Sequence, residues 1–356
     1  MSDPKTVFVG LSGGVDSSVA AARLLKQSYR VVGVFIKVWH PDFMVCNWEQ
    51  ERLDAMRVAA HLQIPFLTCD AEAEYRDEVA HYFIESYRAG LTPNPDVMCN
   101  KEVKFGAFLR FAKKHGADYI ATGHYAYVRD CADEICLYRG NDDTKDQSYF
   151  LWTLTQEQLS YTLLPLGEST KTEIRTEAAA LRLPTAQKKD SQGVCFLGQV
   201  DIPEFLSHYI ELTPGSVYDE VGECIGNHVG AFVYTIGQRH GFSLTTPDAN
   251  RTPHYVIAKD VIANTITVSV RPPHFTSQTV LELSPINIIS SLPATLLAQT
   301  RYRQTPFPVT VQRQTATTLT LAVQSTSDLA AAGQSCVLYA GNQCLGGGTI
   351  TGCQSQ

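Results

Sequence analysis

Residues 8–20 read FVGLSGGVDSSVA, which places hydroxyls, two glycines and a carboxylate between an apolar run and a small-residue run. Lys5 to Gly10 reads as a short buried strand, and Val19, Ala22 and Leu25 recur behind it at helical spacing. The polar loop therefore joins a strand to a helix. The first amides of a helix have no internal acceptor, and the aligned peptide dipoles leave positive charge there, so such a junction attracts anions. Gly13 and Gly14 permit backbone angles that let amides converge on one oxyanion, while Ser12 and Ser17 add hydroxyl donors. The loop lacks the lysine of G-x-x-x-x-G-K-[ST] and the G-x-S-x-G frame of a serine nucleophile. Its unusual member is Asp16, a carboxylate among anion donors. Either a metal ion bridges it to phosphate, or it caps the helix.

Two thiols stand in settings that favour the nucleophilic thiolate. In TPNPDVMCNKEVKFG, Cys99 follows a proline-rich turn and immediately precedes an expected helix, whose dipole lowers a thiol pKa. In KKDSQGVCFLG, Cys195 follows two lysines and a glycine-containing turn. A buried filler thiol is the ordinary alternative for each. The proline, asparagine and aspartate ahead of Cys99 nevertheless build a fixed loop, which a core thiol does not need.

The elements that must position these groups follow from length and pattern. A chain of 356 residues, 44% hydrophobic and 18% charged, has room for two or three cores and is not a disordered composition. No apolar run approaches the roughly 20 residues that span a bilayer, and no leader peptide precedes the first strand, so no membrane association is expected. Ten cysteines without a C-x-x-C pair or a disulfide-like framework point to a reducing cytoplasm. A net charge of −7 argues against indiscriminate nucleic-acid binding, and no DNA partner is expected. Local basic clusters do occur: Lys101, Lys104, Arg110, Lys113 and Lys114 crowd one expected helix, and Lys171, Arg175, Arg182, Lys188 and Lys189 mark a second region. From Arg271 to Arg313 the single acidic residue is Glu282.

The pattern alternates strand and helix as far as Thr122, with strands expected over 30–36, 64–69 and 119–122 and helices over 50–63, 72–89 and 100–115. Such alternation predicts a doubly wound parallel sheet with ligands at the carboxyl ends of its strands, where LSGGVDS, IKVWH and ATGHYA all fall. Residues 150–205 read as a mostly helical extension, with a start signal between Ser169 and Glu173. Beyond Val217 short β-branched runs alternate with turn residues. The expected fold is α/β: a catalytic domain over 1–205, a mixed, β-rich central region over 206–272, and a C-terminal β-barrel-like domain over 273–356.

The order Ser12-Gly13-Gly14-Val15-Asp16-Ser17 resembles the pyrophosphate loop of the PP-loop ATP pyrophosphatases. With LTPNPDVMCN, ATGHYA, KDQSYFL, KKDSQGVCF, YTIGQRHG, TRYRQ and CLGGG, spread in order over nearly the whole chain, it resembles the tRNA-specific 2-thiouridylase family. That resemblance implies ATP-dependent 2-thiolation of the wobble uridine of tRNA. It places ATP on Gly10, Leu11, Ser12, Gly13, Gly14, Val15, Asp16 and Ser17, with Ile36 and Gly123 at the adenosine and Mg²⁺ on the phosphates, with Asp16 as a candidate ligand. Asn94, Pro95 and Asp96 match residues that meet the target base. Lys145, Asp146, Gln147, Arg301, Tyr302, His124 and Gln334 match tRNA contacts. Cys99 matches the nucleophile position and Cys195 the persulfide carrier, loaded by a sulfur-donor protein, and the pair would close a transient disulfide. Val38 stands where the family usually carries a polar residue. Two other readings use fewer of these residues: a PP-loop ligase adenylating a small acid or amide, and a non-catalytic RNA-binding, ATP-sensing protein.

Overall fold

The computed structural model describes residues 3–44, 48–189, 201–245, 252–277, 279–325 and 327–355. The chain lays down β1 (Thr6–Gly10), α1 (Val15–Lys26), β2 (Arg30–Lys37), α2 (Trp48–His61), β3 (Phe66–Asp70) and β4 (Tyr119–Ala121). A hairpin of β5 (Ala126–Cys131) and β6 (Glu134–Arg139) follows, then β7 (Thr162–Leu163) and the helix α3 (Lys171–Ala180). Strands β3-β2-β1-β4-β7 form the expected parallel sheet in that order. Burial on both faces explains the unbroken apolar run of β1. Val7 and Val9 pack with Ala21 and Leu24 of α1 and Ala55 and Val58 of α2, whereas Phe8 packs with Val32, Val34 and Phe108 on the other face.

From β1 the chain runs to β2 on one side, and later returns to β4 on the other, so a crevice opens at their carboxyl ends. Between β3 and β4 lie the helical segments 72–88 and 95–114, each containing a π-helical stretch, Tyr75–Ala80 and Cys99–Ala107. Gly116, at φ +82°, ends the second segment just beyond Lys114, as a left-handed glycine after a helix does.

Helix is scarcer between 150 and 210 than the pattern predicts. The described part contains Gln156–Ser160, α3 and Ile202–Ser207 as its α-helices, with β7 among them. Leu159 is buried from the short helix, but Pro165 and Gly167 interrupt the run, and Leu164 and Leu166 are buried from outside any helix.

Two β units complete the chain. A five-stranded sheet orders Phe242–Leu244, Cys224–His228, Gly215–Tyr218, Thr265–Ser269 and Tyr255–Asp260. Beyond it, six antiparallel strands close into a barrel, because Thr279–Ile288 pairs with the final strand Gln343–Ser355 as well as with Leu319–Val323. The final strand also reaches β6, through the pairs Gln343 with Tyr138 and Cys344 with Leu137. That hairpin stitches the barrel to the N-terminal sheet.

Candidate functional site

A cleft of about 830 Å³ opens at the ends of β1, β2 and β4. Its floor is the loop Gly10, Leu11, Ser12, Gly14, Val15, Asp16 and Ser17; Ile36 and Val38 come from β2 and its exit, and Gly123 and His124 from the exit of β4. Gly13 lies just behind this lining. Its φ is +68°, and a Cβ there would stand 2.6 Å from the Glu51 carbonyl oxygen, so α2 presses the loop into shape. Gly123 is equally constrained: a Cβ would meet the Ser17 amide nitrogen at 2.7 Å. The exit of β4 thus lies against the first turn of α1, which presents its unbonded amides to the cleft.

Asp16 is not the cap of α1. Gly14 occupies the N-cap position and makes no side-chain cap bond. Instead the Asp16 carboxylate accepts from Lys171 Nζ at 2.7 and 2.8 Å and from the Tyr125 hydroxyl at 2.8 Å. Lys171 comes from the first turn of α3, where Thr170 and Glu173 form a reciprocal capping box. Sequence reasoning placed Lys171 in a basic cluster and saw the start signal, but nothing local indicated that this side chain reaches a carboxylate 155 positions away. Gln147 supports the arrangement, its Oε1 accepting from the Tyr125 amide at 3.0 Å. Among the described residues no group of three or more His, Cys, Asp or Glu side chains could hold a metal ion. With its oxygens on Lys171 and Tyr125, Asp16 offers no ready-made metal cage.

Cys99 lies on the same cleft, buried, with Asp96 beside it on the lining. The helix starts earlier than the sequence reading placed it. Asn94 is its N-cap, accepting from the Val97 amide at 3.3 Å, and Pro95 occupies its first turn. Cys99 is therefore about one turn inside the helix, at the start of the π-helical stretch, and not at its first amides. Cys195 lies outside the described residues.

Of the positions matched to tRNA contacts, Lys145, Gln147, His124 and Tyr302 line the cleft. His124 is buried and bonded to Thr122 Oγ1 at 2.8 Å; burial, then nearby Lys104, pushes its pKa well below the usual imidazole value, so it meets a partner as a neutral ring. Asp146 is buried, paired with Arg139 at 2.9 Å and bonded to the amides of Gly140 and Ser148, within the turn that carries Lys145 and Gln147. Arg301 and Gln334 are also engaged within the chain. Arg301 Nη2 donates to the carbonyls of Leu329 at 2.7 Å and Ile236 at 3.2 Å, and Gln334 Nε2 donates to the Thr92 carbonyl at 2.7 Å. The barrel thereby holds the turn that leads to Cys99.

The basic helix is largely neutralised: Lys101 pairs with Glu102, Arg110 with Glu74 and Lys113 with Glu157. Within the cleft the balance differs from the net charge of the chain. Lys104, Lys145, Lys171, Lys189 and Arg303 line it against Asp16, Glu51 and Asp96. Burial raises the Glu51 carboxyl pKa, which weakens its claim as a fixed anion.

Three family models match in succession: the tRNA methyl transferase HUP domain over residues 5–199, the tRNA methyl transferase PRC-barrel domain over 203–270 and the aminomethyltransferase beta-barrel domain over 272–350. The tRNA-specific 2-thiouridylase MnmA of Listeria welshimeri is 44% identical over 97% of this chain and 94% of its own. The chain belongs to the tRNA-specific 2-thiouridylase family. A second relative in that family, from Ralstonia nicotianae, is also 44% identical, over 97% of this chain and 96% of its own. A solved 4-thiouridine synthetase–RNA complex with bound ATP is more distant, 19% identical over 57% of this chain and 50% of that one, with a TM-score of 0.35, and the assignment does not rest on it. As a member of the thiouridylase family, the chain fits neither the ligase nor the ATP-sensing reading.

Proposed function

We propose that this enzyme is a tRNA-uridine sulfurtransferase that uses ATP to replace the C2 oxygen of the wobble uridine with sulfur. The observation that carries this reading is one basic cleft lined by both the ATP-pyrophosphatase loop and Cys99. The C2 oxygen is a poor leaving group. Its attack on the α-phosphorus of ATP breaks the α–β bond, releases pyrophosphate and leaves an adenylate, from which AMP departs readily. The first-turn amides of α1, Ser12, Ser17 and the cleft lysines stabilise charge on the phosphates. Mg²⁺ bound to the phosphates would offset further charge, with Asp16 as the nearest carboxylate of the loop.

Sulfur arrives as a persulfide on Cys195, loaded by a donor protein. Its terminal sulfur goes to C2, AMP leaves, and the Cys99 thiolate takes Cys195 Sγ, so two thiols are oxidised as the sulfane sulfur is reduced. A dithiol reductant reopens the disulfide. Asp96 meets the target base with Asn94 and Pro95 setting its turn; Lys145, Gln147, His124 and Tyr302 contact the anticodon arm across the cleft, while Asp146, Arg301 and Gln334 act by holding those surfaces in place. The catalytic domain spans 1–205, the β-rich central domain 206–272 and the barrel 273–356, working in the cytoplasm. Among the described residues no helix is long and apolar enough to cross a membrane. Nucleoside mass spectrometry of tRNA from a strain lacking this chain tests the reading: wobble 2-thiouridine disappears, and its persistence without a second enzyme would remove the proposal.

A further inference from the structure

We propose that Lys171 is the movable cation of the phosphate site, holding Asp16 before ATP binds and passing to the triphosphate when ATP arrives. This rests on ATP-dependent adenylation as the reaction. The residue's own helix does not favour a cation at this position. Lys171 is the first residue of α3, where the helix dipole disfavours a cation. Its backbone is fixed by its amide, which donates to Asp142 Oδ2 at 2.9 Å, and by the capping box of Thr170 and Glu173. The whole helix is docked on α1: Arg23 of α1 reaches Glu177 at 2.6 Å and the Pro165 carbonyl at 2.9 Å, and Val15 and Val19 pack against Ile174 and Ala178. A rigid base therefore carries a flexible stem into the cleft lining.

The tip suits an exchange of partners. An ammonium is a point charge with three donors that rotate freely, so it moves between carboxylate and phosphate oxygens without the geometric demand of a guanidinium. Asp16 keeps the Tyr125 hydroxyl at 2.8 Å when Lys171 leaves it. During adenylation the uridine oxygen bonds to the α-phosphorus and the electron pair of the broken α–β bond stays on pyrophosphate. Lys171 offsets that developing charge, a contribution made mainly in the transition state.

The test is single-turnover, tRNA-dependent release of labelled pyrophosphate by the full chain. Lys171→Gln is expected to slow release by about 100-fold or more while KM for ATP rises less than about tenfold, with part of the rate restored in Lys171→Arg. The double variant Asp16→Asn/Lys171→Gln stays slow. Rates of the wild type and Lys171→Gln within about threefold would overturn the assignment, as would recovery in the double variant, which would make the pair a strut. A measurement that needs no Lys171 variant to fold is ATP affinity in EDTA. Asp16→Asn, having freed Lys171, binds metal-free ATP several-fold more tightly than the wild type; equal or weaker binding overturns the exchange. A wild type that releases no pyrophosphate with tRNA would instead sink the adenylation reading itself.

Discussion

Arg301 distinguishes a phosphate contact from an internal clamp. Its guanidinium donates to the carbonyls of Leu329 and Ile236, bridging the barrel and the turn of the central sheet that contains Gly237. Arg301→Ala leaves both acceptors without that donor. An unsatisfied buried acceptor costs about 1–3 kcal/mol; these two bonds are only part-buried, so the low end of about 1 kcal/mol applies to each and together they cost roughly 2 kcal/mol. For a unit of 150–250 residues that is a fall of about 4–8 °C in Tm. A residue bound to internal carbonyls releases no counterion from tRNA, so the slope of log K against log salt stays unchanged, although affinity falls as the two domains loosen. Calorimetry and tRNA binding across a salt series measure both quantities. A slope reduced by about one, with Tm unchanged, would refute the clamp and return Arg301 to the phosphate backbone.

Asp16→Ala abolishes pyrophosphate release; because the Asp16 side chain is 32% exposed and screened, its loss costs only about 1–2 kcal/mol of stability, and full release by the variant would refute its role at the phosphate site. Cys195→Ser accepts no persulfide, whereas Cys99→Ser retains one on Cys195; peptide mass spectrometry after loading with labelled sulfur reads the difference, and label on Cys99 of the wild type would reverse the assignment. Burial lowers the pKa of Lys259 to about 8, with its Nζ on the Tyr234 carbonyl at 2.5 Å. The unfolded chain holds that proton up to about 10.4, so its contribution to stability is complete above that value and is lost as pH falls through about 8. Urea denaturation should therefore show the wild type gaining up to roughly 3 kcal/mol on Lys259→Met between pH 7.5 and 10, and parallel curves would contradict this.

The strand, glycine turn and helix start of residues 6–26 were legible because they depend on local geometry and are consecutive in sequence. The convergence of Gly10, Ile36 and Gly123 was legible for a similar reason, since parallel strands bring their carboxyl ends together. Lys171 was not, because its position depends on α3 packing against α1, a contact between residues about 155 apart. The start of the Cys99 helix was readable and misplaced: Asn94 followed by Pro95 is a cap followed by a preferred first residue, although both also suit a turn. The β5–β6 hairpin escaped because AYVRDC and EICLYR are short, and their partner, the strand beginning at Gln343, lies some 200 residues on. Burial of Asp146 was hidden by its type, since a surface carboxylate between Lys145 and Gln147 is the ordinary expectation and only the fold supplies Arg139 beneath it.

The most direct measurement combines the purified full-length chain with ATP, Mg²⁺, a persulfide donor and unmodified tRNA, and quantifies nucleosides and nucleotides together. The predicted result is one 2-thiouridine at the wobble position for each AMP and each pyrophosphate formed. Sulfur incorporation without AMP, or cleavage of ATP to ADP and phosphate with no thiolated uridine, would contradict it.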